Sequence, residues 1–157
     1  MSMNDVFTLL DAEEVKWSPE LGRLILIYSD IEDILNHTLD DVANASALRD
    51  KRTTKKLKLL ANICEDNLKQ HNYIDAKKLL KKIETLRNFR NLVCHNPISF
   101  SISGNHKKEI HLSLKIYSKH KVAMLTFVTL QRKVEVAQEC RSRLKDLWKT
   151  LSEMNLS

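Results

Sequence analysis

Arg87, Arg90, Asn91 and His95 stand together in the stretch Arg87-Asn88-Phe89-Arg90-Asn91-Leu92-Val93-Cys94-His95. Guanidinium groups grip oxyanions through forked N–H donors, imidazole exchanges a proton near neutral pH, and an amide both donates and accepts. A set of this kind can hold an anion and move a proton beside it. At roughly 100° per residue along a helix, Arg90 falls on the same arc as Leu79, Ile83, Leu86 and Val93. A charge therefore lies in an apolar stripe. Asn91 comes one helical turn after Arg87 and one before His95, which makes a polar row next to Arg90. Burying a guanidinium costs on the order of several kcal/mol unless it is paired. Arg90 calls for an acidic partner such as Glu32 or Asp33, for a subunit interface, or for a bound anion.

The element that must position these residues is a helix over about Tyr73–His95, which buries Ala76, Leu79, Leu80, Ile83, Leu86 and Val93. It stops near His95 because Pro97 restricts Asn96 away from helical geometry. Upstream, Glu20–Val42 places Leu21, Leu24, Ile25, Tyr28, Ile31, Ile34, Leu35 and Leu39 at three- and four-residue steps. Ser18 reads as its N-cap and Pro19 as part of its first turn. A second helix is expected over Thr53–Leu68, after a connection at Asn44–Lys51. Downstream, Ile110, Leu112, Leu114 and Ile116 alternate with polar neighbours, the period of a strand. Val122–Phe127 can pair with it across a turn at Ser118–Lys121, and a last helix follows over Leu130–Leu151. The expected fold is all-α: a single domain over residues 1–157, an antiparallel bundle of about four helices with a short β-hairpin before the last helix.

Composition narrows the functional classes. Hydrophobic residues make up 43% and charged residues 29%, which fits a folded globular chain rather than a disordered one. Two glycines and two prolines are too few for many short strands. Met1–Trp17 lacks a basic start and a continuous apolar run, so a signal peptide is not expected. No apolar stretch approaches the roughly 20 residues that span a bilayer. Cys64, Cys94 and Cys140 are odd in number and widely spaced, which argues against a disulfide framework and fits the cytoplasm. The six histidines show no metal-ligand spacing, and there is no phosphate-binding glycine loop or nucleophile elbow, so neither metal nor cofactor is expected. A formal net charge of +6 favours polyanionic partners. The lysine and arginine runs at 51–58, 77–82 and 141–149 read first as solvated helix faces.

Arg90-Asn91-Leu92-Val93-Cys94-His95 resembles the signature of the HEPN (higher eukaryotes and prokaryotes nucleotide-binding) family. That signature is an arginine, usually followed by a polar residue, with four to six residues in all between the arginine and a histidine. With asparagine required in second place, it arises by chance in on the order of one per hundred chains of this length. The order of elements over residues 18–151 is similar as well, although Asn96-Pro97 replaces the small residue that many relatives carry after the histidine. The resemblance implies a metal-independent endoribonuclease of toxin or defence type, acting as a homodimer whose two motifs face each other. In the implied reaction an RNA 2′-hydroxyl attacks the adjacent phosphate, leaving a cyclic phosphate and a 5′-hydroxyl. His95 would serve as base or acid, Arg90 would hold the phosphate, Asn91 would orient phosphate or imidazole, and Arg87 would add a weaker substrate contact. RNA is the implied substrate, with an antitoxin or regulatory protein as a further partner. The competing expectations are a non-catalytic module that binds RNA, a nucleotide or a protein, and a structural dimer in which Arg90 is salt-bridged within its own subunit.

Overall fold

The computed structural model describes residues 3–43, 51–104, 110–118 and 121–154. Most of the expected Asn44–Lys51 connection lies outside these, as do Lys119, His106 and His120. The described residues form four helices, α1 (Met3–Ala43), α2 (Thr53–Asn67), α3 (Gln70–Cys94) and α4 (Phe127–Glu153). Three strands, β1 (Ile98–Gly104), β2 (Ile110–Ser118) and β3 (Lys121–Leu125), separate α3 from α4. No described helix is long and apolar enough to cross a membrane.

The apolar stripes form the helices where their periods predict. Leu24, Tyr28, Ile31, Leu35 and Leu39 of α1 are at most 1% exposed, and Ile83 and Leu86 of α3 at most 2%. Leu130, Val134, Ala137, Cys140, Leu144 and Leu151 give α4 its buried face. Thr126 caps α4, its hydroxyl accepting from the Thr129 amide at 3.2 Å.

Three expectations need correction. First, Ser18 is not an N-cap, because α1 starts at Met3 and runs through Pro19. Proline removes one helical hydrogen bond, to the carbonyl of Val15. Val15 is 76% exposed, so that carbonyl lies where water can reach it. Burial of Trp17, 1% exposed, favours continuing the helix. Its ring meets Phe100 of β1 at 6.1 Å and Phe127 of α4 at 5.3 Å, both edge-on, and its Nε1 donates to Glu13 at 2.8 Å.

Second, the sheet is a three-stranded antiparallel meander in the order β1-β2-β3 rather than a hairpin. β1 pairs Ile98 with Ile116 and Phe100 with Leu114, while β3 pairs Leu125 with Leu114. The central strand thus has both edges bonded. The alternation of Ile98, Phe100 and Ile102 with serines is the signal for β1.

Third, the helices do not simply alternate in direction. Trp17 meets Phe127, Asp30 pairs with Arg141 at 2.8 Å, and Asp41 accepts from Trp148 at 2.7 Å. Numbers rise together along both helices, so α1 and α4 run parallel. Lys133 lies over Phe89 and Lys82 pairs with Glu139, so α3 runs antiparallel to α4. The physical reason lies in the chain path. Thr53 starts α2 beside Glu32, about three turns back from the end of α1, and only Leu68 and Lys69 separate α2 from α3.

Cys64 gives the core a pH dependence. Fully buried on α2, its thiol is pushed up by burial from 9.0 to about 11. A raised acid pKa contributes stability below its unfolded value that is lost as pH rises through the folded one. Between pH 9 and 11 this group alone should remove about 2–3 kcal/mol. The fall in melting temperature across that window should be shallower in Cys64→Ala than in the wild type. Equal slopes would count against the assignment.

Candidate functional site

Arg90 lies between Leu86 and Val93 on the face of α3 that turns inward, and it is partly buried. Its Nη1 donates to the side-chain oxygen of Asn91 at 3.2 Å, and its Nε is buried without a partner. No carboxylate among the described residues pairs with it. Asp33 instead lies near His37 at 3.7 Å, and Glu32 accepts from the Thr53 hydroxyl at 2.7 Å. One turn earlier the same device recurs: Arg87 Nη2 donates to Asn88 Oδ1 at 2.8 Å, and its Nε is also buried without a partner. Each asparagine holds one edge of the preceding guanidinium and leaves the inner N–H unmet.

The third unpartnered group in this neighbourhood is the hydroxyl of Tyr28, on a ring 1% exposed in α1. Burial pushes its phenol well above the ordinary range, and the Glu32 carboxylate pushes the same way, whereas Arg87, the adjacent Thr53 hydroxyl and Arg90 act against the shift. Thr53, at the start of α2, lies beside this hydroxyl but turns its own proton to Glu32. The hydroxyl therefore keeps its proton at neutral pH and is a donor. Left unsatisfied, a buried polar atom costs about 1–3 kcal/mol, and here the described residues carrying such atoms all belong to one cluster. The sequence signal for Tyr28 is modest: a polar-tipped ring in the α1 stripe, one turn before Glu32.

His95 is the C-cap of α3, its backbone N–H donating to the Asn91 carbonyl at 3.1 Å. The ring is exposed and hydrogen-bonds to none of the described residues. Asn96 donates to the Leu92 carbonyl at 2.8 Å, and the Pro97 carbonyl accepts from Tyr117 N–H at 3.0 Å. Asn96-Pro97 thus ends α3 and starts the sheet, fixing where the backbone of His95 stands. The fold brings Arg90 and Asn91 into side-chain contact, puts Arg87 a turn away, and holds His95 a turn beyond Asn91 at the surface.

The remaining charges are less available. Lys56, expected on a solvated face, is 7% exposed and donates to Asn36 at 2.7 Å. Lys82 and Arg143 share Glu139, both at 3.2 Å, and their hydrogen bonds lower its pKa. A cavity of about 270 Å³ between α3 and α4 is lined by Asp75, Arg143 and Asp146 among others. It lies about 22 Å along α3 from Arg90 at 1.5 Å per residue and gathers no convergent set of like charges. Among the described residues no group of three or more His, Cys, Asp or Glu could hold a metal ion. Comparison with protein-family models, curated proteins and solved structures finds no match to this chain.

Proposed function

We propose that the protein is a metal-independent endoribonuclease of toxin or defence type, cleaving RNA through 2′-hydroxyl attack at a site composed across a homodimer. The observation that carries this reading is the Arg90–Asn91 pair: a guanidinium set in an apolar face, gripped on one edge at 3.2 Å, with no carboxylate among the described residues paired to it. A positive charge arranged in that way is suited to an anion that is not part of the chain. The exposed His95, at the end of the same helix, supplies a group able to take or give a proton near neutral pH. The resemblance of Arg90-Asn91-x-x-x-His95 to the HEPN signature supports the same assignment.

In the proposed reaction Arg90 binds the scissile phosphate and offsets charge that develops on it. His95 removes the 2′-hydroxyl proton or protonates the departing 5′-oxygen, and the partner copy supplies the other role. Asn91 fixes the guanidinium that holds the phosphate. The exposed end of α3 leaves room for a second copy to bring its own His95 opposite. A cytoplasmic setting, and control by an antitoxin or regulatory protein, belong to the same proposal. One observation favours the alternative of a non-catalytic module binding RNA, a nucleotide or a protein. The His95 ring is held by no hydrogen bond to the described residues, whereas a base is usually oriented by a second group.

The deciding experiment incubates purified protein with an RNA pool, and separately with DNA of matched sequence, in the presence of a chelator. RNA should be cut to cyclic-phosphate and 5′-hydroxyl ends while DNA, lacking the 2′-hydroxyl, stays intact. Binding of RNA without cleavage would replace this reading by the module, and equal loss of DNA would refute the mechanism.

A further inference from the structure

Arg87, Arg90 and Tyr28 come from two helices, and each keeps a buried side-chain donor with no partner: Nε, Nε and the phenol hydroxyl. The start of α2 adjoins them. Its N-cap, Arg52, makes no side-chain cap bond, and its first residue, Thr53, lies beside the Tyr28 hydroxyl. A helix N-terminus carries partial positive charge, so the donors and the dipole act in the same sense. Glu32 is the carboxylate that faces the group, and its Oε1 is taken up by Thr53 at 2.7 Å. Two fixed guanidiniums against one carboxylate leave the cluster positive.

We propose that Tyr28, together with the Nε groups of Arg87 and Arg90, forms the buried floor of a phosphate-binding site in which the phenol hydroxyl donates to a phosphate oxygen. That this phosphate belongs to RNA rests on the ribonuclease reading above; that the site takes a phosphate does not. Tyr28 is then a positioning residue, setting the depth and orientation of the anion that the partly buried guanidiniums attract. The asparagines contribute by holding those guanidiniums, at 2.8 Å for Asn88 and 3.2 Å for Asn91, so that Nε faces inward. The site also accounts for donors that would otherwise stand unmet in the protein interior.

The test is thermal unfolding of the full chain in increasing inorganic phosphate, against chloride at matched ionic strength. Variants are Tyr28→Phe, Arg90→Lys, Arg87→Lys and, away from the site, Lys82→Ala. Phosphate should raise the melting temperature of the wild type and of Lys82→Ala. Tyr28→Phe should weaken the apparent phosphate affinity about tenfold or more, the worth of one hydrogen bond to a charged acceptor. Without phosphate, Tyr28→Phe should melt no lower than the wild type, since the hydroxyl it lacks meets no well-formed hydrogen-bond partner among the described residues and its neighbour Thr53 gives its proton to Glu32. The two lysine variants keep charge but have no Nε, and should lose protection as well. If phosphate leaves the wild type unmoved, or protects Tyr28→Phe and the lysine variants equally, the proposal falls and water fills the cluster. Cleavage of RNA by the same proteins separates the two readings. Phosphate protection that depends on Tyr28 in a protein that cuts no RNA keeps the site and removes the ribonuclease. RNA cleavage with no phosphate difference between wild type and Tyr28→Phe does the reverse.

Discussion

His95→Ala and Arg90→Ala should each slow cleavage of an RNA pool by about 10²–10⁴-fold, the usual worth of a general acid–base group or of electrostatic stabilisation of a developing charge. The two variants test different parts of the site. His95 is exposed and bonded to none of the described residues through its ring, so His95→Ala should leave stability within about 0.5 kcal/mol of the wild type. Loss of activity in that variant cannot then be put down to unfolding. Arg90 is partly buried with one unmet N–H, so its truncation removes an uncompensated charge together with some packing, and circular dichroism is needed beside the assay. If the two residues act on one phosphate, the double variant should be little worse than either single one. A dimeric site adds a sharper result: mixing inactive His95→Ala with inactive Arg90→Ala protein should restore part of the activity if the two copies divide the roles. Wild-type rates in His95→Ala would remove His95 from the chemistry.

Trp17→Ala should destabilise the fold by about 3–5 kcal/mol, as expected for truncating a fully buried aromatic. Marginal stability is typically about 5–15 kcal/mol, so this single change should leave a protein close to unfolding. The magnitude follows from position. Trp17 is 1% exposed and touches Phe100 of β1 and Phe127 at the start of α4. It is a contact through which α1 meets both the sheet and the start of the helix that follows it. Urea denaturation followed by circular dichroism gives the value directly. Trp17→Phe, which keeps an aromatic ring, should recover a good part of the loss. A cost under about 1 kcal/mol would mean that the sheet is docked by other contacts.

The two predictions come from opposite ends of what could be read from the chain. His95 and Arg90 were legible because their signal is local: residue types, a fixed spacing and the proline that ends α3. The buried faces of α1, α3 and α4 were legible for the same reason, since a 3.6-residue period exposes which side of a helix must leave water. β2 was legible by its period of two. Trp17 was not, because Ser18-Pro19 carries a strong local signal for a helix start. Burying a tryptophan against two rings outweighs one missing hydrogen bond whose carbonyl lies near water. β1 is less legible although Ile98, Phe100 and Ile102 alternate, because its strand form depends on pairing with β2, a partner that a local pattern does not name.

Taken alone, the sequence determined the helical class, the inward stripes, the end of α3 and the row of Arg87, Asn91 and His95 beside Arg90. Each of these follows from interactions within a few turns of one element. Only the tertiary structure decided that α1 runs parallel to α4, that Glu32 is engaged by Thr53 rather than by Arg90, and that Tyr28 joins the two arginines with its hydroxyl unmet. Those outcomes depend on which helices cross at which level. Long-range packing sets that crossing, because the area buried by whole faces exceeds what any one polar pair contributes.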